Sequence, residues 1–354
     1  MKDPIRVVVA DDSALMRKLL CEVLNDDPEI EVVGRARNGR QALELVHALK
    51  PNVVILDINM PVIDGLDALG YIMSEIPTPC IIFSAFTADN KENVLRAMEL
   101  GAIDIINKTQ QTPSRNVQEF ASQIVETIKQ AAQNPVSKLK FVSPPKPAQV
   151  IKKITTVPLA TFPVVVIASS SGGAAALANI IPHLNKNVPA AILVIQHMPE
   201  TFTASFAKRL SVLSGIDVVE MSDNMPLEPS RVVVAKGGLH MRVAETKLKP
   251  RLVFDDSPPQ NGVKPAADVT MISAAEYFKH KTIGVILTGM GRDGTVGAGA
   301  IKQNGGIVIA QNKDTSAVFG MPKSVIDEGL ADTVLPLTSI APEIERLILK
   351  IKNK

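Results

Sequence analysis

Short apolar runs alternate with segments of helical periodicity along residues 1–130, and this alternation limits the fold more than any other feature of the sequence. The predicted strands are Val7–Ala10, Val32–Arg35, Val53–Leu56, Cys80–Phe83 and Ile103–Ile106. The helices that follow them are Leu15–Leu24, Gln41–Leu49, Leu66–Ser74, Asn90–Leu100 and Val117–Ala131. Such alternation builds a parallel sheet covered by helices, with its site at the carboxyl ends of the strands. We therefore predict a doubly wound (βα)5 domain over residues 1–130.

The remainder of the chain repeats the α/β rhythm over residues 161–354. Predicted strands are Val164–Ala168, Ala190–Gln196, Val218–Glu220, Arg231–Val234, Leu252–Phe254, Thr282–Thr288 and Ile307–Ala310. Predicted helices are Ala174–Ile181, Phe202–Leu213, Ala267–Tyr277, Gly297–Gln303 and Ile340–Lys352. We expect a second doubly wound, mostly parallel α/β domain, with one antiparallel excursion around Arg231–Phe254.

Residues 131–160 are predicted to be a linker between the two domains. From Asn134 to Ala160 the chain holds five Pro and five Lys but no Asp or Glu. Such composition, without amphipathic periodicity, is typical of a semi-extended connection. A basic arm that binds an anionic partner is the alternative interpretation.

Composition excludes several classes of protein. No apolar run reaches the ~20 residues that a membrane span needs, and no signal peptide is predicted, so we expect a cytoplasmic protein without membrane insertion. The two cysteines, Cys21 and Cys80, are too few for a disulfide framework or a zinc site. A net charge of +2, no Trp and 3% aromatic residues argue against a nucleic-acid partner.

Charged and hydroxyl side chains follow the strands of the first domain. Asp11 and Asp12 follow the first strand, Asp57 the third, Ser84 the fourth and Lys108 the fifth. Carboxylates that converge on one sheet edge repel one another unless a cation joins them, and hard oxygen ligands suit Mg²⁺. Lys108 and the Ser84 hydroxyl are then placed to contact a phosphoryl group on Asp57. Each acid alone is also compatible with a plain helix cap.

These residues carry a resemblance to the receiver domain of two-component response regulators. The matching motifs are Val9-Ala10-Asp11-Asp12-Ser13, Leu56-Asp57-Ile58-Asn59-Met60-Pro61, Asp64-Gly65 and Lys108. The resemblance implies phosphorylation of Asp57 by a histidine kinase. It also implies Mg²⁺ on Asp12, Asp57 and the Asn59 carbonyl, with Asp11 helping through water. The sequence departs from the family pattern at Ile105, where an aromatic residue is common, and at Thr109, which replaces a proline.

The second domain places a serine turn, a histidine and an aspartate after three predicted buried strands. Ser169–Ser171 lie in a strand-to-helix turn, His197 follows the second strand, and Asp293 lies within the glycine-rich loop Gly289–Gly294. In nucleophilic acyl transfer an imidazole takes the hydroxyl proton, and a carboxylate orients that imidazole. The glycines at 289, 291 and 294 are expected to let the backbone approach substrate closely and form an oxyanion hole.

Each of these residues is also compatible with a purely structural role. The serine can be an N-cap, the histidine a buried structural residue and the aspartate a turn residue. His240, after Gly237-Gly238, is a further residue that can line the cleft. Gly289–Gly294 has the spacing of a dinucleotide-binding turn, but it contains Arg-Asp, and the next strand ends without an acid. The serine turn does not match the Gly-x-Ser-x-Gly elbow of the ordinary α/β-hydrolases.

The whole set of motifs resembles the chemotaxis protein-glutamate methylesterases, in which a receiver domain gates an esterase. The matching segments are Ile167–Gly173, Gln196-His197-Met198-Pro199, Thr288–Gly294 and Phe319-Gly320-Met321-Pro322. By this resemblance Ser170 is the nucleophile, His197 the general base and Asp293 its orienting acid, and the Met290 N–H is a candidate oxyanion donor. Departures from the family pattern are Ala168, Ser171 and Ala266, where Gly, Thr and Ser are usual.

The resemblance implies hydrolysis of γ-glutamyl methyl esters on methyl-accepting chemoreceptors, together with deamidation of certain glutamines. No metal or organic cofactor is expected in the esterase step. Our mechanistic hypothesis is that the unphosphorylated receiver covers the catalytic cleft and that phosphorylation of Asp57 loosens this contact. The alternatives are a non-catalytic response regulator that binds DNA or another partner through its output domain, and a nucleotide-dependent reductase.

Overall fold

The computed structural model describes residues 3–85, 87, 90–108, 117–133, 162–246 and 249–352. The chain divides into two compact units, Met1–Lys140 and Phe141–Lys354. The last helix of the first unit continues to Gln133, three residues into the predicted linker. The rest of that linker and Thr109 lie outside the described residues.

The first unit is a five-stranded parallel sheet with the strand order β2-β1-β3-β4-β5. Its elements are β1 (Ile5–Ala10), α1 (Ala14–Asn25), β2 (Ile30–Ala36), α2 (Gly39–Leu49), β3 (Val53–Leu56), α3 (Gly65–Glu75), β4 (Cys80–Ser84), α4 (Lys91–Glu99), β5 (Asp104–Asn107) and α5 (Val117–Gln133). The structure confirms all five predicted strand-plus-helix units, and the bounds differ from the prediction by a few residues at most.

The central strands β1 and β3 are buried because helices cover the sheet. Every residue of β3 and the last four residues of β1 are buried, as their continuous apolar runs require. The chain runs from β1 outward to β2 and then back across to β3, so the strand order reverses between β1 and β3. A crevice forms at the carboxyl ends of the strands where such a reversal occurs. Asp11, Asp12 and Asp57 lie at this point.

The second unit is built on a seven-stranded sheet with the order β15-β14-β13-β6-β7-β10-β8, and all its pairings are parallel. Its strands are β6 (Val164–Ser169), β7 (Ala191–Gln196), β8 (Asp217–Glu220), β9 (Met225–Pro226), β10 (Arg231–Val234), β11 (His240–Thr246), β12 (Lys249–Asp255), β13 (Thr282–Ile286), β14 (Ile307–Gln311) and β15 (Thr333–Leu335). Its helices are α6 (Gly173–Ile180), α7 (Glu200–Ser214), α8 (Ala267–Phe278), α9 (Thr295–Gln303), α10 (Met321–Asp327) and α11 (Leu337–Lys352).

The antiparallel excursion is present, but Arg231–Val234 is not part of it, contrary to the prediction. Strand β10 lies inside the main sheet, parallel to β7 and β8, because its three consecutive valines are buried on both faces. The antiparallel strands are β11 and β12, to which the two-residue β9 adds in a separate sheet. The prediction missed β9, β11, α10 and β15; of these, β9, α10 and β15 are only two to seven residues long.

Among the described residues, no helix combines the length and the apolar character that crossing a membrane requires.

Candidate functional site

Strand β6 occupies the middle of the seven-stranded sheet, and the chain leaves it toward β7 on one side and returns as β13 on the other. The site therefore lies at a strand-order reversal, as in the first unit. Ser169 pairs with Gln196 at the end of β6 and β7, so the residues that follow, Ser170 and His197, are neighbours. The His197 N–H donates to the Ser169 carbonyl over 3.0 Å, which fixes this adjacency.

The three serines after β6 differ in exposure. Ser169 is fully buried, and its hydroxyl donates to Gln196 Oε1 over 2.7 Å. Ser171 is buried as well, at 8% exposure, whereas Ser170 is half-buried. The Ser170 backbone is fixed because its N–H donates to the Thr288 carbonyl and its carbonyl accepts from Gly173. Of the three side chains, that of Ser170 is the most accessible to a substrate.

His197 and Asp293 form a close pair, with 2.7 Å between His197 Nε2 and Asp293 Oδ2. This contact places the imidazole proton on Nε2 and leaves Nδ1 as the basic nitrogen. In the serine-protease triad the two nitrogens have the opposite roles, since Nδ1–H faces the aspartate and Nε2 the serine. A triad on this scaffold therefore uses the imidazole in reverse.

The Asp293 carboxylate is saturated with hydrogen bonds. It accepts from the N–H groups of Ala267 (2.6 Å), Asp268 (3.1 Å) and Gly294 (3.0 Å) in addition to His197. Ala267 and Asp268 begin α8, whose N-cap residue Ala266 offers no side-chain acceptor. Asp293 thus caps α8 from a different part of the chain, where the helix dipole favours a negative charge.

The environment of Asp293 keeps it ionised. Burial alone would raise the pKa of its carboxyl group. The hydrogen bond and positive charge of His197, together with the N–H groups of Ala267 and Asp268, outweigh burial and hold this pKa below its ordinary value. The structure therefore places a carboxylate with a lowered pKa against His197 Nε2.

A second buried carboxylate, Asp268, reciprocates this capping and was not predicted as part of the site. Its Oδ1 accepts from the Gly297 N–H in the first turn of α9 over 2.7 Å, and its Oδ2 from Asn261 over 3.0 Å. Burial raises the pKa of Asp268, and the nearby Asp293 carboxylate adds to the rise. The two acids therefore hold the N-termini of α8 and α9 together next to His197. The sequence signal that could have found Asp268 is a charged residue within an otherwise apolar helix start.

The loop after β13 supplies the candidate oxyanion donor. A Cβ atom on Gly289 would lie 2.8 Å from Ser170 Cβ and 2.3 Å from Met321 Sδ, so glycine lets this loop pack against the serine turn. Met290 comes next and is half-buried, and the hydrogen bonds found among the described residues include none from its N–H. Gly294 likewise approaches protein, namely Ile286. The absence of a side chain at Gly289 and Gly294 is therefore explained by packing within the protein, and the approach of this loop to substrate stays a prediction.

His240 does not line the cleft, contrary to the sequence prediction. It is fully buried, its Nδ1 accepts from the Ala266 N–H over 3.0 Å, and its Nε2 contacts the Pro258 carbonyl at 3.2 Å. A neutral imidazole satisfies both partners, one as acceptor and one as donor. His240 therefore braces the segment that leads into α8.

The predicted acidic cluster of the first unit is present. Ligand atoms of Asp11, Asp12 and Asp57 lie within 4.8 Å of one another. Lys108 Nζ lies 2.7 Å from Asp11 Oδ2 and 2.8 Å from Asp57 Oδ2. Burial raises the pKa of Asp57 and the Asp11 charge adds to the rise, while the Lys108 ammonium opposes it. An all-oxygen donor set with excess negative charge fits a hard divalent cation.

Ser84 ends β4, the strand next to β3, and Asn59 lies two residues beyond Asp57. The Ser84 hydroxyl is fully buried at the end of β4 and has no hydrogen-bond partner within the described part of the chain. A buried hydroxyl without a partner is costly, so this position fits an incoming oxygen acceptor. The Asn59 N–H bonds to the Asp57 carboxylate, and Asn59 itself is exposed. Ile105 lies half-buried in β5.

Comparison with known proteins confirms both resemblances. A model of the CheB methylesterase family matches residues 165–344, and a model of the response regulator receiver domain matches residues 7–116. A relative from Pyrococcus abyssi is 43% identical over 99% of this chain and 95% of its own length. Another from Thermotoga maritima is 43% identical over 97% of this chain and 98% of its own length. Both are named protein-glutamate methylesterase/protein-glutamine glutaminase.

A solved structure supports the same assignment for the second unit. The crystal structure of the Thermotoga maritima CheB methylesterase catalytic domain is 49% identical in sequence. It covers 53% of this chain and 99% of that chain, with a TM-score of 0.52.

Proposed function

This chain belongs to the CheB methylesterase family, and we propose that it is a phosphorylation-activated esterase that removes methyl groups from glutamyl side chains of chemoreceptors. It is a carboxylic ester hydrolase, and its relatives' names add protein-glutamine deamidation to the activity. The observation that carries the proposal is the half-buried Ser170 beside His197, whose Nε2 contacts the saturated Asp293 carboxylate. The assignment of roles to these three residues is part of the proposal.

The proposed reaction has two halves. Ser170 Oγ attacks the γ-carbonyl carbon of the glutamyl methyl ester while His197 Nδ1 takes the hydroxyl proton. The Met290 N–H donates to the oxyanion of the tetrahedral intermediate. Collapse of this intermediate breaks the bond to the methoxy group, which takes the proton from His197 and leaves as methanol. Water then attacks the acyl-enzyme with His197 as base, which releases glutamate and restores Ser170. With glutamine, ammonia leaves instead of methanol.

Asp293 contributes through its charge rather than by accepting a proton. Each half-reaction passes through an imidazolium, and the lowered pKa of Asp293 keeps a carboxylate against it. Three backbone N–H groups prevent that carboxylate from rotating away. No metal or organic cofactor takes part in this step.

The receiver unit is proposed to accept a phosphoryl group from a histidine kinase onto Asp57. Asp12, Asp57 and the Asn59 carbonyl would hold Mg²⁺, with Asp11 acting through water, and the bound ion supplies charge neutralisation at the carboxylates. Lys108 would leave Asp11 and contact a phosphoryl oxygen, and the Ser84 hydroxyl would donate to another. The Ser84 hydroxyl, which has no partner among the residues that the structure describes, supports this assignment.

Phosphorylation of Asp57 is proposed to raise esterase activity. Allosteric coupling of about 1–3 kcal/mol corresponds to roughly 5–150-fold activation.

The proposal is tested by methanol release from membranes that carry methylated chemoreceptors, with and without a small-molecule phosphodonor. We expect a basal rate, an increase with the phosphodonor, and loss of both in Ser170→Ala. Ser171→Ala is the matched control and should keep most of the activity. No methanol from the wild-type chain would favour the non-catalytic response regulator instead. Near-normal release by Ser170→Ala would contradict the assigned nucleophile.

A further inference from the structure

The carboxamide of Gln196 lies between the nucleophile turn and the histidine. The side chain is 1% exposed, and its Oε1 accepts from the Ser169 hydroxyl over 2.7 Å. Its Nε2 donates to the Ser170 carbonyl over 3.0 Å and to the His197 carbonyl over 3.1 Å. The orientation of the amide is unambiguous, because carbonyl oxygens only accept and must therefore face the NH₂ group. One side chain thus satisfies three groups of the candidate site.

The nucleophile turn is shaped around this carboxamide. A Cβ atom on Gly173 would lie 2.2 Å from Gln196 Oε1 and 2.7 Å from Ser169 Cβ, so no other residue type fits at the start of α6 without displacing the amide. The Gly173 N–H donates to the same Ser170 carbonyl that the amide contacts, over 2.7 Å. Glycine at 173 and glutamine at 196 therefore form one structural unit.

Ser170 and His197 follow the neighbouring strands β6 and β7 and lie next to each other where the ladder between these strands ends. The last main-chain bond between the two turns runs from the His197 N–H to the Ser169 carbonyl. Beyond it, within the described residues, the contacts that join the Ser170 and His197 backbones are those of the Gln196 NH₂ group. Proton transfer between Oγ and Nδ1 depends on this spacing to within about 0.5 Å.

We propose that Gln196 is a positioning residue that sets the spacing between Ser170 and His197 and keeps the Ser169 hydroxyl out of the reaction. The inference deepens the proposed function and rests on it. Ser169 is one residue from the nucleophile, yet its hydroxyl is committed to Oε1 and buried. The same amide therefore explains both the register of the base and why Ser169, next to the proposed nucleophile, does not react.

The test uses Gln196→Glu in the full chain, because glutamate has the same shape but a different donor pattern. An ionised carboxylate has no donor and directs negative charge at two carbonyl oxygens, whereas a protonated carboxyl group retains one donor. Burial raises the pKa of such a carboxyl group toward neutral pH, by up to ~3–5 for a fully buried group. The groups that contact position 196 are the Ser169 hydroxyl, the two carbonyls and the Gly173 backbone. The nearest titratable groups along these contacts are His197 and Asp293.

The expected readout is the pH dependence of kcat for methanol release. The wild-type rate should reach a plateau on the alkaline side, whereas the Gln196→Glu rate should fall there. Gln196→Met, which has no charge and makes no such hydrogen bonds, should lose about ten- to a hundredfold in kcat with KM unchanged and no alkaline fall. Ser169→Ala, which leaves both NH₂ contacts intact, should lose less than Gln196→Met.

Two results would overturn the inference. One is a Gln196→Glu profile with the wild-type shape; the other is a Gln196→Met rate within about threefold of wild type. If circular dichroism shows that Gln196→Glu does not fold, Gln196→Met decides alone. Ser170→Ala is measured alongside. Methanol release by that variant would contradict the proposed function itself, whatever the result for the variants of Gln196.

Discussion

Both units place buried carboxylates at the carboxyl ends of parallel strands, yet the two acidic sites differ in how their oxygens are satisfied. Asp293 accepts three backbone N–H groups and the imidazole, and its pKa lies below the ordinary value. Asp57 shares one lysine with Asp11, and its pKa lies above the ordinary value. The saturated carboxylate is suited to stay charged and hold another group still. The unsaturated one is suited to bind a cation and to be modified.

Hydrogen-bond saturation thus distinguishes an orienting acid from an acceptor acid more clearly than position in the fold does. Each lies at a strand-order reversal and each is nearly fully buried. The difference arises because Asp293 faces the first turn of α8, which supplies N–H donors, whereas Asp57 faces other carboxylates.

The largest expected effect comes from replacing the saturated acid. Asp293→Asn offers an amide NH₂ to a site that presents four donors, and it leaves His197 without the acceptor that fixes its tautomer. The corresponding change in a serine protease lowers kcat about 10⁴-fold, and a loss of this order is expected here in methanol release.

Asp268→Asn is the matched control for Asp293→Asn. The asparagine keeps an acceptor for the Gly297 N–H, and the Asn261 amide can turn its oxygen toward the new NH₂. Activity within about tenfold of wild type is expected. Equal losses in the two variants would show that helix locking, and not the contact with His197, explains the importance of Asp293.

The next largest effect comes from replacing one glycine in each unit, which should impair the function of that unit alone. A Cβ atom on Gly65 would lie 1.9 Å from the Asp57 carbonyl, and one on Gly173 would lie 2.2 Å from Gln196 Oε1. Relief of such overlaps typically costs about 1–3 kcal/mol or more. Gly173→Ala should therefore abolish methanol release while leaving phosphoryl transfer to Asp57 intact. Gly65→Ala should do the reverse and keep the basal esterase rate.

Two other glycines serve as controls, because a Cβ atom on Gly70 or Gly299 meets nothing within 4 Å. Alanine at either helical position should be neutral or stabilise by up to about 1 kcal/mol. Loss of both activities in Gly65→Ala would indicate that the esterase unit depends on an intact receiver.

The smallest effect concerns the pH dependence of stability. Because the folded pKa of Asp57 is raised, the native state binds more protons than the unfolded state between the two values. Its contribution to stability therefore falls as pH rises through that window. Asp57→Asn should therefore stabilise the receiver at pH 7, and this gain should vanish at acid pH.

Asp293 should behave in the opposite way, because its folded pKa is lowered. Its contribution is present above the unfolded pKa and is lost as pH falls through the folded pKa. Urea unfolding of both asparagine variants against wild type, from acid to neutral pH, measures the two slopes. Slopes of the same sign would contradict the contrast between the two acids.

The sequence was sufficient for the parallel strands of the two main sheets, except β15, and for the residues at the ends of those strands. Continuous apolar runs identify buried parallel strands, and the residue after each run lies at the sheet edge, which located Asp57, His197 and the serine turn. The choice of Ser170 as the proposed nucleophile within that turn required the family motif. In the structure, the Ser169 hydroxyl is bonded to Gln196, which lies 27 residues further along the chain, and no local pattern predicts this contact.

Contacts between distant segments account for what the sequence left out. Asp268 and Asp293 cap each other's helices across 25 residues or more, and no local pattern encodes such an exchange. His240 follows a glycine pair like a cleft residue, but its two ring nitrogens are satisfied by a segment 18 to 26 residues further on.

The central claim is that Ser170 carries the acyl group, and the most direct measurement is mass spectrometry of the chain quenched by acid during turnover of a glutamyl γ-methyl ester peptide. We predict a single acyl adduct on Ser170, formed together with the first equivalent of methanol. An adduct on Ser169 or Ser171 would contradict the account. Methanol release by the Ser170→Ala variant at the wild-type rate would also contradict it.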